Sequence, residues 1–325
     1  MKRFAALAVL LAACGGDDAV HHPPDAPRSN APPGIYVSNY AGKITVYPID
    51  ADGDAAPMRT ITGVATGLCG SIGINFYRDG FIYVANRTLG TVTIYPKDID
   101  GNIAPARMLT GLGAPEALAI TSDDELVVSS CTSCNGDAGE DKIFHSAKGG
   151  STADRTIGGT GANTNTLFRA PGSIGLDPTD NTLWVANSFN SLVESFPAGA
   201  SGDVAPSRSF DAALGNLQSA TFADNALFIA TPAAGLINIY STSGTGTSTP
   251  VVIQNHMNGL DVGYPAGLWV ETSSGHPVIY LADTDGAIHI IDTTGTTPNL
   301  SVRSVKTITG ASTGLSTPLG VRVIP

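Results

Sequence analysis

Few residues in this sequence are of types that do chemistry, so their spacing is weighed first. Cys69, Cys131 and Cys134 lie well apart from Cys14 near the N-terminus. Cys131-Thr132-Ser133-Cys134 is close enough to bridge locally, and a bond from Cys69 to Cys131 or Cys134 is the alternative. A redox C-x-x-C opens a helix in a thioredoxin-like setting, whereas this one ends a strand-like run. Gly310-Ala311-Ser312-Thr313-Gly314 matches the nucleophile string G-x-S-x-G. That chemistry needs a strand, a sharp turn and a helix, with His and acid partners. None of that context is present, so the string reads as a loop. Asp50-Ala51-Asp52-Gly53-Asp54 and Asp98-Ile99-Asp100-Gly101-Asn102 gather oxygen ligands as calcium loops do. They lack the glycine and distal Glu spacing of an EF-hand, and Asp-Gly reads first as a hairpin turn in which Gly takes positive φ. His145, His256, His276 and His289 fall in separate parts of the chain with no paired motif and read as structural.

The elements that must position these residues follow from a repeat. Gly34-Ile35-Tyr36-Val37-Ser38-Asn39, Lys43-Ile44-Thr45-Val46-Tyr47-Pro48, Asp52-Gly53 and Ala56-Pro57-Met58-Arg59-Thr60-Ile61-Thr62-Gly63 recur closely from Phe81 to Gly111. Weaker copies begin at Leu126, Leu183, Leu227 and Ile279. Tyr36, Tyr83, Val127, Trp184, Phe228 and Tyr280 are equivalent and stand 44 to 57 residues apart. That period suits four short strands with turns, the length of a propeller blade. The runs are β-branched and aromatic, bounded by Gly, Pro, Asn and Asp. A further strand of small residues precedes each later copy, at Ser71, Glu116, Ser173, Ser219 and Gly267, and a sixth, at Gly320, has no copy after it. The first copy has no such strand before it. The expected fold is therefore all-β: a six-bladed propeller of four-stranded blades, closed by the C-terminal strand pairing with the first blade. Arg59, Arg107, Arg155, Arg208 and Lys306, with Val252 in the fifth copy, share one position on the outermost strands. They are expected to be exposed cations that block edge-to-edge pairing.

Tyr-Val-Ala-Asn, Ile-x-Val-Tyr-Pro and Gly-x-x-Ala-Pro-x-Arg-x-Ile resemble the NHL and YVTN type β-propeller repeats common in bacterial envelope lipoproteins. The resemblance spans Gly34 to Pro325. Its members include scaffolds, sugar lactonases and lyases, so fold alone does not assign function. In related gluconolactonase-type propellers, side chains where the inner strands begin hold a divalent metal. The equivalent positions here are Gly70, Glu116, Gly172, Gln218, Ala266 and Leu319. Glu116 alone is a carboxylate and would need help from Asn39, Asn86, Asn187 or Asp283 at second-strand ends. Those residue types also form turns by bonding their own backbone. Glu116, Gln218, Asn39, Asn86, Asn187 and Asp283 are the ligand-face candidates, no catalytic residue is assigned, and no cofactor is expected, Ca2+ being the alternative. The acidic insert from Asn135 to Lys142 belongs to the same face.

Met1, Lys2 and Arg3 precede an apolar run from Phe4 to Ala13 that is too short to span a bilayer. Leu11-Ala12-Ala13-Cys14 resembles the bacterial lipobox, with lipidation at Cys14. Residues 1–13 are expected to be a lipoprotein signal peptide, 14–33 a Pro-rich tether and 34–325 the propeller. The membrane would be met through the lipid anchor at the cell envelope, in an oxidising compartment that favours disulfides. With 17 Lys and Arg against 28 Asp and Glu, the net charge is −11, which excludes nucleic acid as a natural partner. The hydrophobic content of 42% argues against disorder. The expected function is a monomeric binding scaffold for a protein, peptide or glycan. A metal-dependent hydrolase or lyase is the alternative.

Overall fold

The computed structural model describes residues 33–324 except 77–79, 97, 132–141, 147–151, 160–164, 213, 215–216, 232–235, 243–249, 255–256, 273–274 and 298. Cys14, the segment 14–32, Cys134, His256 and the insert residues 135–141 lie outside the described residues. Twenty-four strands form six four-stranded antiparallel sheets. The innermost strands are β4 (Ser71–Phe76), β8 (Pro115–Ile120), β12 (Pro171–Leu176), β16 (Ser219–Ala223), β20 (Pro265–Glu271) and β24 (Pro318–Ile324). Each is followed outward by the next three strands in sequence, except that β24 pairs with β1 (Gly34–Asn39). Ile35 sits opposite Val323 and Val37 opposite Val321. The ring closes as the repeat requires. Blade 1 is thus β24 with β1, β2 (Lys43–Tyr47) and β3 (Arg59–Thr62), and blades 2 to 6 follow in order. Among the described residues no helix is long and apolar enough to cross a membrane.

Side chains alternate across each strand, so every blade presents one apolar face to each neighbour. The buried residues accordingly fall into six clusters, one at each interface between blades. Tyr36 packs toward blade 2, while Ile35 and Val37 pack toward blade 6. The inner strands approach very closely. A Cβ on Gly267 would lie 2.4 Å from Leu319 O, and one on Gly320 2.2 Å from Ile72 O. These glycines set the width of the central channel.

Two expectations are corrected. The repeated cations are not exposed edge guards. Arg59 donates to Tyr36 Oη at 2.7 Å and Arg107 to Tyr83 Oη at 3.2 Å. Arg208 lies over the Trp184 ring at 5.2 Å. These three partly buried guanidiniums cross their blades to the second-strand aromatic, whereas Arg155 pairs with Glu125; of the five cations only Lys306 is exposed. The fifth-blade equivalent is Val251, which pairs with Ile239 opposite Phe228, rather than Val252.

The Asp-Gly turns are clasps between blades rather than simple hairpin turns. Gly53 pairs with Ile308 of blade 6 and Gly101 with Ile61 of blade 1, and Gly202, which follows Ser201, pairs likewise with Ile157 of blade 3. Asp52 Oδ1 accepts from Thr307 N, Asp100 Oδ1 from Thr60 N, and Asp54 from both N and Oγ of Ser312. These loops cover the preceding outer strand and blunt its open edge by hydrogen bonding. Blade 6 differs again. Its outer hairpin, Ala287–Thr296 and Asn299–Thr309, is longer than those of the other blades.

Candidate functional site

The upper face is the one on which inner strands begin. Four of the ligand-face candidates are buried there in structural roles. Asn39 Oδ1 accepts from Ser316 N, Asn86 Oδ1 from Cys69 N and Ser71 Oγ, and Asn187 Oδ1 from Arg169 N. Asp283 accepts from the backbone N–H of Gly263, Tyr264 and Asp285. Burial raises its pKa, but these bonds and His289 outweigh it and hold the carboxyl down at about 2. Each side chain pins the connection from the previous blade to its own second strand. The amide nitrogens of the three asparagines donate to third-strand partners, Thr45, Thr93 and Glu194, and Asp283 Oδ2 also meets His289 of its third strand. Glu194 is fully buried, and burial pushes its carboxyl up to about 7 against the hydrogen bond from Asn187.

The central channel holds only about 80 Å³, space for a few waters rather than a metabolite. Glu116 and Gln218 line it, with Arg322. Arg322 lies over the Trp269 ring. Glu116 Oε1 is 3.1 Å from Arg87 Nε, so the one carboxylate where an inner strand begins is already matched by a guanidinium. A hard divalent cation wants several converging oxygens, and this donor set does not suit one. Among the described residues no three His, Cys, Asp or Glu cluster. Cys69 and Cys131 are both disulfide-bonded, so the arrangement that leaves Cys69 a free thiol is not the one found. Ser312 of the G-x-S-x-G string lies in a 3-10 turn, Ala311–Thr313, bonded to Asp54. Gly63 to Gly67 forms the same turn without a serine.

Among the described residues, large exposed apolar side chains are distributed unevenly. Val64, Leu89, Leu167, Phe189 and Tyr264 stand on connections of the upper face, while Met58 and Ile103 stand on loops of the lower face.

The roomier cavity, about 280 Å³, opens between blades 3 and 4 at the lower face. Sequence reasoning missed it. Glu125 ends the turn before β9 (Leu126–Ser130), His145 lies on β10 (Lys142–Ser146) and Arg155 begins β11 (Arg155–Ile157). His145 Nδ1 is 2.9 Å from Glu125 Oε2, and Arg155 grips the same carboxylate through Nε at 3.1 Å and a terminal nitrogen at 2.6 Å. The other Arg155 terminal nitrogen donates to Ala200 O across the interface. Burial raises the Glu125 pKa, but the bonds from Arg155 and His145 prevail and hold it below the usual range. Burial, with Arg155 nearby, lowers that of His145 despite Glu125. The neutral ring therefore donates from Nδ1 and carries its lone pair on Nε2. That atom is buried without a partner in a residue only 4% exposed, an arrangement worth about 1–3 kcal/mol when nothing satisfies it.

A signal for this cavity was present in the repeat. The cross-strand rungs read Tyr36–Val46–Arg59, Tyr83–Ile94–Arg107, Trp184–Ser195–Arg208 and Tyr280–Ile290–Lys306, but Val127–His145–Arg155 in blade 3. A small residue replaces the aromatic, and an ionisable one replaces the aliphatic or Ser, on the same rung.

No protein-family model matches the chain, and no curated protein does. Solved structures do. A functionally unknown protein from Desulfotomaculum acetoxidans DSM 771 is similar at TM-score 0.61 and 14% identity, over 90% of this chain and 99% of that one. A protein of unknown function from Bacteroides caccae is similar at 0.60 and 13%, over 90% and 99%. A streptogramin B lyase structure aligns at 0.49 and 13%, over 86% of this chain and 75% of that one. The first two likenesses speak for the fold alone.

Proposed function

We propose that this protein is an envelope lipoprotein, lipidated at Cys14 and held off the membrane by the tether 14–33, whose upper face binds a protein or peptide. The carrying observation is the bias of exposed apolar side chains, with Val64, Leu89, Leu167, Phe189 and Tyr264 all on upper-face connections. Scattered single apolar residues are ordinary on a surface, but a bias of five against two toward one face is the kind of unevenness that marks interaction surfaces. Phe189, at 62% exposure, is the natural anchor. The filled channel supports a surface reader over an enzyme that encloses its substrate. A hydrolase or lyase built on Glu116 would need that carboxylate free of Arg87.

The test places a photo-crosslinking residue at Phe189, Tyr264, Met58 or Ile103 in cells making the lipidated protein. Discrete protein adducts from Phe189 and Tyr264, and not from the lower pair, are expected. Adducts equal from both faces would overturn the reading, and glycan capture lost in Phe189→Ser would move the ligand to the glycan class. Palmitate labelling abolished by Cys14→Ala checks the anchor.

A further inference from the structure

We propose that the central channel holds a carboxylate-binding site, in which the guanidinium of Arg322, stacked on Trp269, grips both oxygens of a small carboxylate and the Thr221 hydroxyl donates a further hydrogen bond. The site does not rest on the partner surface proposed above. Three observations support it.

The first is an unanswered charge. Arg87 and Arg155 are matched by Glu116 and Glu125, but no acceptor among the described residues bonds to the Arg322 guanidinium, and Glu271 acts on it only through space, without an ion pair. Burial lowers its pKa to about 9 in spite of Glu271, so the group is charged at neutral pH in surroundings that desolvate it. A charge so placed is costly until an opposite one meets it. The second is direction. Arg322 lines the channel and is partly exposed; on an inner strand, flanked by neighbouring strands and blades, it meets solvent only there. None of its nitrogens is sealed off, whereas Nε of Arg59 and Nε of Arg107 both are. The Trp269 ring covers one face of the guanidinium, 3.2 Å from its carbon, and leaves the in-plane N–H edge open, the fork that matches a carboxylate. The third is room at the same level. The inner-strand partners of Tyr36, Tyr83, Val127, Trp184, Phe228 and Tyr280 are Arg322, Asn75, Ala119, Gly175, Thr221 and Trp269, so Arg322 and Trp269 stand in a ring of smaller residues. Thr221 also lines the channel, and its hydroxyl is neither sealed nor bonded among the described residues. The other charge of the lining, Glu116, is taken by Arg87. A space of about 80 Å³ admits a carboxylate with a short body and nothing of metabolite size.

The probe is acetate, with acetamide as its neutral isostere and chloride as the spherical anion. Trp184 and Trp269 are the only tryptophans of the chain, so in Trp184→Phe the emission reports on Trp269 alone. The full chain with that change is titrated at constant ionic strength. Acetate is expected to shift the emission saturably with a dissociation constant on the order of 1 mM, as suits so small a ligand. Acetamide and chloride should bind roughly tenfold more weakly, the first for want of charge and the second for want of a paired oxygen. Adding Arg322→Lys keeps the charge without the fork and should weaken acetate roughly tenfold. Adding Thr221→Val, which leaves the guanidinium on its indole, should weaken it roughly fivefold. N-acetylglycine binding as tightly as acetate would support the site and mark a peptide end as the source of the carboxylate; acetate binding with N-acetylglycine excluded would support it with a free small acid as the source. No saturable shift by about 10 mM acetate, ten times that constant, would overturn the proposal. So would acetamide or chloride binding as tightly as acetate, or an acetate affinity unchanged in both variants.

Discussion

Glu194 shows how one substitution inside the repeat changes the chemistry of a position. In blades 1 and 2 the amide of Asn39 or Asn86 donates to a threonine hydroxyl, whereas Asn187 donates to the fully buried carboxyl of Glu194, whose second oxygen has no partner. Burial lifts its pKa to about 7 from 4.5. The folded state therefore holds a proton that the unfolded chain has already released. The stability from this group is complete below about pH 4.5, falls as pH rises toward 7, and is then level; the loss is about 3 kcal/mol at 1.36 kcal/mol per unit. His145, with its pKa lowered by burial, opposes that slope below 6.5, so the test is a difference. Urea midpoints of the native chain and Glu194→Gln should converge near pH 4.5 and separate by pH 8 in favour of the variant. Parallel profiles would mean that Glu194 is ionised in the fold. None of this was legible in the sequence, because a Glu on a strand of alternating pattern does not reveal that both faces of the strand are covered.

At the scale of elements, the sequence carried the strands because each blade repeats one set of side-chain instructions, and it carried the closure because the inner strand missing before Gly34 stands at Gly320. It hid what happens between blades. Asp-Gly spells a turn locally, and only the neighbouring outer strand makes it a clasp. The partner position was nevertheless encoded. Gly63 and Gly310 take φ of 120° and 130°, and a Cβ on either would strike Asn102 or Asp54 at 2.4 Å, so the clasp side chain occupies the space that the glycine leaves. Asp54 and Asn102 play the same part, accepting from Ser312 N and Ala65 N. Asp54→Asn should therefore be nearly neutral. Asp54→Ala, which abandons two donors of Ser312, should lower stability by about 1 kcal/mol, read from the urea midpoint at unchanged slope. Equal midpoints for the two variants would show that the backbone bridge at Gly53 holds the blades without the side chain. The cavity beside His145 escaped reading for a related reason. Its three polar groups lie on the turn before β9, on β10 and on β11 and meet only through the register, although the departure of Val127 from the aromatic pattern marked the interface.

For the whole molecule the decisive contact is the pairing of β24 with β1, since every other blade is made from consecutive strands. β24 supplies Val321 and Val323 to the cluster shared by blades 6 and 1 and gives β1 the partner without which its inner edge would be open. Ile324 lies opposite Gly34, on the face where inner and second strands are joined in the other blades; in blade 5 two residues, Asp224 and Asn225, suffice. The ring should thus be indifferent to where the chain is cut, provided that all six inner strands are present. A chain ending at Thr317 should lose its cooperative thermal transition. A circular permutant that joins Ile324 to Gly34 through a two-residue Asp-Asn turn, with new ends between Ser316 and Thr317, should keep a single transition near that of the original chain. The permutant separates loss of the strand from disturbance of the site of cutting, because both chains are interrupted at the same connection. A truncated chain that still melted cooperatively at the original midpoint would show that the blades hold their curvature without closure, and the clasps at Gly53, Gly101 and Gly202 would then be the first place to look for the forces that do so.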